Sequence, residues 1–135
     1  MEIGRYNAKD CSIIVNSMHI TGLGEDMISW SKDEAYFETV VGAQGDIVKS
    51  EINNTLHTLK ITVQPTCPQL GNLLELQGTQ ETFPVWVINK ALGLKVGGSM
   101  ASVMEAPEIS LGSSAEDMEF TFCVFDGTTS TNTEA

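Results

Sequence analysis

The sequence predicts a mainly β protein, an antiparallel β-barrel or sandwich carrying one short packed α-helix. Three observations lead there. Two runs alternate apolar and polar residues at the strand period, further β-branched or aromatic runs are separated by glycine and asparagine turns, and a single segment repeats leucine at helical spacing.

In chain order, β-branched or aromatic runs occupy Ser12 to Val15, Met27 to Ser31, Tyr36 to Val41, Ile47 to Glu51 and Pro84 to Asn89. Leu59-Lys60-Ile61-Thr62-Val63 and Met118-Glu119-Phe120-Thr121-Phe122-Cys123-Val124 alternate strictly, as half-buried antiparallel strands do. Turn signals lie at Thr21 to Gly24, Gly42 to Asp46, Asn53-Asn54, Leu92-Gly93 and Gly97-Gly98, where glycine or asparagine permits positive φ. A helix is expected over about residues 67 to 77. Thr66 is its cap, Pro68 sits in its early turn, Leu70, Leu73 and Leu74 form its stripe, and Gly78 stands at the C′ position. A helix this short is marginal alone, so its stripe is expected against a sheet. After Phe125 no large apolar residue follows; residues 1–125 are read as one domain and 126–135 as a flexible tail. No internal repeat is evident.

Length and composition agree with one domain that buries a core without disulfides or metals. No apolar run reaches the roughly 18 residues of a membrane helix. The opening Met1-Glu2-Ile3-Gly4-Arg5 lacks the blocks of a signal peptide, so a chain that is cytosolic when made, with no membrane insertion, is expected. Eighteen acidic against seven basic residues leave a net charge of −11, which argues against gripping nucleic acid by its phosphates. The three cysteines, Cys11, Cys67 and Cys123, are widely spaced without a C-x-x-C pair, so no disulfide framework is expected, and Cys11 and Cys123 are assigned to core packing.

The chemistry for an enzyme is missing. His19 and His57 lack a partner at zinc-ligand spacing and are read as surface or strand-edge residues. The carboxylate pairs Glu25-Asp26, Asp33-Glu34 and Glu116-Asp117 are adjacent in sequence, which on a strand sends them to opposite faces. There is no nucleophile elbow, phosphate-binding loop or dinucleotide fingerprint. Catalytic, cofactor and metal residues are therefore expected to be none. Trp30 and Trp86 are read as core, with a carbohydrate platform as the alternative.

Taken in order, the segments carry a resemblance. Glu38 to Ser50 resembles the place in phage tail tube proteins where a strand enters a glycine-marked loop and returns. Leu59 to Leu74 is similar to that family's alternating strand leading into a short helix, Ala101 to Gly112 to its penultimate strand region, and Met118 to Phe122 to its closing strand. The resemblance spans about residues 6 to 126. It implies a structural virion protein of contractile-tailed bacteriophages or phage-tail-like particles. In that family, homo-hexameric rings stack into the hollow inner tube, each subunit's inner sheet is completed by its neighbours, and viral DNA passes through without specific binding. The implied partners are copies of itself, the tail sheath protein, and baseplate and terminator proteins. The implied location is the virion tail, assembled in the host cytoplasm.

Within that frame the acidic balance would keep phosphates away from the bore wall. Alternation offers Glu38, Thr58, Lys60, Thr62, Glu119 and Thr121 as lumen-facing candidates, with Lys60 expected to pair with Glu38 or Glu119 across strands. Gly42, Gln44, Asp46, Lys49, Glu51 and Asn54 are candidates for a protruding ring-stacking loop, as opposed to a plain hairpin of Ile47 to Glu51 on Tyr36 to Val41. A tube-initiating or tube-terminating ring protein, or a secretion-system tube ring, is the alternative within the class. A carbohydrate-binding β-sandwich using Trp30, Tyr36 or Trp86 is the alternative outside it.

Overall fold

The computed structural model describes residues 3–131. The strands are β1 (Cys11–Val15), β2 (Met18–His19), β3 (Leu23–Lys32), β4 (Phe37–Val41), β5 (Ile47–Glu51), β6 (His57–Val63), β7 (Phe83–Asn89), β8 (Leu94–Glu105), β9 (Met118–Val124) and β10 (Thr128–Thr131); helix α1 spans Leu70–Thr79. One antiparallel sheet runs β2-β1-β7-β8-β9-β6-β3, with β10 also on β8, while β4 and β5 form a separate two-stranded ribbon. The main path is open, with β2 and β3 at its ends, so the architecture is sandwich-like.

Alternation sets the core. On β6 the side chains of Leu59, Ile61 and Val63 point inward, and Phe120, Phe122 and Val124 on β9, Val85 and Val87 on β7, and Ile13 and Val15 on β1 meet them. Burying each phenyl or branched side chain is worth about 1.5–3 kcal/mol relative to exposure, so this cluster dominates folding. Phe83 and Phe122 pack edge to face with centroids 5.9 Å apart. Helix α1 lays Leu73 and Leu76 on the core, with Leu70 and Leu74 half-buried beside them.

The helix begins later than expected. Gln69, not Thr66, precedes it, and the side-chain oxygen of Gln69 accepts from Thr21 N at 3.0 Å rather than capping the helix. Cys67, whose thiol donates to the Thr21 carbonyl at 3.0 Å, fixes the same β2–β3 turn. At the other end Gly78 lies within the helix, and Gln80 takes the left-handed conformation at φ 56°.

Two further expectations are corrected around β8. Gly97 and Gly98 are not a turn: they lie inside β8, which packs so closely on β7 that a Cβ on Gly97, at φ +140°, would fall on the Val85 carbonyl oxygen. The inward phase of β8 runs through Val96, slips by one residue at Ser99 and Met100, which are both exposed, and resumes at Ala101 and Val103. The segment expected as a flexible tail is ordered over residues 126 to 131. Asp126 bonds back to β8, and Thr128–Thr131 pair with Leu94–Gly97. Polar strands of this kind carry no hydrophobic signal, since backbone pairing and hydroxyl hydrogen bonds hold β10. The remaining tail, 132–135, lies outside the described residues.

Candidate functional site

The ribbon is the feature the core does not explain. The chain leaves β3, runs out along β4, turns, and returns along β5 to β6, so the ribbon is the far end of the β3/β6 hairpin. Its register pairs Phe37 with Glu51, Thr39 with Lys49, and Val41 with Ile47. The turn is closed by Gly42 N on the Asp46 carbonyl at 2.7 Å and Gly45 N on the Gly42 carbonyl at 3.0 Å. A strand of this length spans roughly 17 Å at the usual rise per residue. The segment expected as a protruding ring-stacking loop has the backbone of the alternative, a hairpin: Gly42, Gln44 and Asp46 sit in its turn, Lys49 and Glu51 on β5, and Asn54 in the connection to β6. Nearly all of it faces solvent, including Val40, Val41, Ile47 and Val48, the last three being 64%, 68% and 59% exposed. Two-stranded ribbons are marginal alone, and bare strand edges rich in valine and isoleucine invite pairing. Lys49 lies over the Phe37 ring within the ribbon and Lys32 over the Tyr36 ring at its base, each 4.6 Å from the centroid.

Five of the six lumen candidates come together. Thr58, Lys60 and Thr62 on β6 stand opposite Cys123, Thr121 and Glu119 on β9, all on the face turned away from the core. Glu38 does not join them; it lies on the ribbon opposite Ser50. The cross-strand partners of Lys60 are Ser29 and Thr121, so the expected pairing with Glu38 or Glu119 is corrected. Thr121, set between Lys60 and Glu105 in the register, is buried. The face is anchored at one side by Thr58 Oγ1, which donates to Asp33 at 2.7 Å. At the other it runs into an open pocket of about 290 Å³ rimmed by Glu105, Glu108, Glu116, Asp117 and Glu119.

The remaining chemistry-bearing residues are structural. His57 is buried, not at the surface: its ring stacks on Trp30 with centroids 4.7 Å apart and its Nδ1 meets the Thr55 carbonyl at 2.9 Å. Trp30 Nε1 donates to Thr129 Oγ1 at 2.8 Å, tying β3 to β10. Trp86 points outward from β7 beneath Lys95 instead of entering the core. All three cysteines are free, and the buried one is Cys67; Cys123 lies on the outer face and Cys11 is half-buried. Burial, with the Asp33 carboxylate adding to it, raises the Cys123 pKa and keeps that thiol protonated. The Tyr6 hydroxyl is also pushed up, chiefly by its contact with Cys11. Among the described residues no group of His, Cys, Asp or Glu is arranged to hold a metal ion.

No family model matches the chain, and no curated protein matches it in sequence. Its fold has solved counterparts. It superposes on the tube-terminating cap of the anti-feeding prophage with a TM-score of 0.67 at 11% identity, covering 97% of this chain and 94% of that one. It superposes on the sheath/tube terminator, in the extended state, of the extracellular contractile injection system PVC with a TM-score of 0.60 at 12% identity, covering 95% and 98%. At these identities the likeness is one of fold.

Proposed function

We propose that this chain is a structural, non-enzymatic ring subunit that terminates the tube of a contractile tail-like particle, binding the last tube ring and the sheath. The observation that carries this is the near-complete, two-way match to two terminators from contractile particles, with little of either partner left over. It favours the terminator alternative over the tube ring itself. Six copies in a ring, the outer faces of β6 and β9 toward the bore, and the β4–β5 ribbon reaching onto the adjoining ring form the detailed reading. The ribbon's exposed valines and isoleucine and its bare edges support the last of these, since docking would cover them. A polar wall with Glu119 and the neighbouring carboxylates would keep polyanionic cargo such as DNA off the surface.

Negative-stain microscopy of the purified protein over a range of concentrations tests the reading. A terminator is expected to stop at single closed rings and to add to the ends of preformed tubes. Long fibres of uniform width would instead make it the tube subunit, and a monomer that never joins a ring or a tube end would overturn both.

A further inference from the structure

The charge of this chain is sorted by position. From Ile61 to Asn89, and again from Val96 to Thr131, there is no lysine or arginine. The strand register brings four of the seven basic residues together, while Lys32 ends β3, Lys49 is on the ribbon and Lys60 is within β6. Cys11, Asn89, Leu94 and Thr131 stand side by side across β1, β7, β8 and β10, so Arg5 and Lys9 before β1, Lys90 in the β7–β8 turn and Lys95 next to Leu94 gather at one end of the sheet. At the opposite end, where β8 finishes and β9 begins, lie Glu105, Glu108, Glu116, Asp117 and Glu119.

Each end also carries apolar surface of matching form. At the basic end the curled sheet opens in a mouth of about 410 Å³ between β3 and β7/β8, with Ile28, Trp30, Val87 and Val96 inside and Leu92 and Leu94 on its lip. At the acidic end the β8–β9 connection folds back on itself through the Leu111–Ala115 bridge. It presents Ile109 and Leu111, 55% and 73% exposed, between Glu108 and Glu116. One surface is an apolar hollow flanked by Arg5, Lys9, Lys90 and Lys95 with the carboxylate of Asp10 among them, the other an apolar knob with an acidic surround.

We propose that these two ends bind each other between copies: the Ile109–Leu111 knob of one subunit enters the Trp30–Val96 mouth of the next, with Glu108 and Glu116 facing Lys9 and Lys90. The occupant is a second copy because both halves of the complementarity lie on the same chain. At a net charge of −11, copies repel in other orientations, so the sorted charge selects this one. The contact joins unlike surfaces, so repetition closes a ring if the rotation allows and otherwise gives an open chain. The inference deepens the ring reading and rests on it for closure alone.

The test uses full-length protein and two charge-reversed variants at exposed positions, Lys9→Glu with Lys90→Glu and Glu108→Lys with Glu116→Lys, followed by sedimentation velocity and negative stain. Each variant alone is expected to associate at least tenfold more weakly than the parent, and an equimolar mixture is expected to recover assembly, because each reversed end meets its complement on the other variant. Leu111→Ser is expected to weaken association at every salt concentration, whereas the charge term fades at high salt. Reversed variants that assemble like the parent, a mixture no better than its components, or a parent that stays monomeric at all concentrations would each overturn the contact. Salt-sensitive open chains without rings would support the contact while removing the ring reading. Rings that persist in both variants would do the reverse.

Discussion

The carboxylate of Asp126 sits on the β8 bulge and accepts the Met100 amide at 3.0 Å, so a residue just past the end of β9 supplies the partner for a backbone group the bulge removes from the ladder. The same carboxylate takes the Ser99 amide at 3.2 Å and the Ser99 hydroxyl, and Phe125 N returns to the Met100 carbonyl at 2.8 Å. One acidic side chain thus stabilises the phase slip that lets both halves of β8 face the core.

Removing that carboxylate has a pH signature. The Ser99 hydroxyl bond, followed by the Met100 and Ser99 amides, lowers the Asp126 pKa from its ordinary 3.8. A depressed folded value means that the stabilisation is fully present above the unfolded pKa and is lost as pH falls through the folded one. Asp126→Ala is expected to cost about 1–2 kcal/mol at neutral pH, after allowance for partial exposure. Urea unfolding of both proteins should show the gap closing at the acid end, below the usual carboxylate range.

Gly97 tolerates no side chain. Gly97→Ala places a methyl against the Val85 carbonyl oxygen at a backbone angle of φ +140° that L residues avoid. The expected loss is about 3 kcal/mol or more, with the β7–β8 pairing the first region to lose amide protection in hydrogen exchange.

Helix α1 contributes through two leucines. Leu73 is fully buried, and Leu73→Ala should cost about 2–5 kcal/mol by chemical denaturation, whereas Leu74→Ala, half-buried beside it, should cost distinctly less.

The ribbon is separable from the fold. Replacing Gly42 to Ile47 by a short glycine linker removes exposed residues and leaves the core cluster untouched, so the melting temperature should stay within a few degrees of the parent. Under the proposed function, rings still form but no longer join tube ends in negative stain. A misfolded product, seen by circular dichroism, would instead mean that the ribbon is needed for folding.

Much of the sheet was legible because β6, β7 and β9 alternate about a buried face and the ribbon strands are β-branched runs set off by a glycine turn. Ile47 to Glu51 and Met118 to Val124 have the expected limits, and β1, β4, β6 and β7 differ from expectation by a residue or two. Illegibility had physical causes. Gly97-Gly98 looks like a turn because glycine signals backbone freedom, while here it serves close strand packing. Thr128 to Thr131 has no apolar residue to reveal a strand. The polar face shared by Thr58, Lys60, Thr62, Glu119 and Thr121 follows from period alone, but its cross-strand partners depend on strand order, which puts β6 between β3 and β9. The basic mouth was hidden because it gathers residues far apart in the chain, and the acidic knob because its exposure depends on the β8–β9 connection folding back on itself.

The bare β4–β5 ribbon also bears on how long an unassembled copy survives. Valine and isoleucine on two uncovered strands make a template for cross-β growth, so aggregation of unassembled protein at high concentration is expected to start at the ribbon. Under the proposed function, docking of the ribbon on an adjoining ring would remove that template.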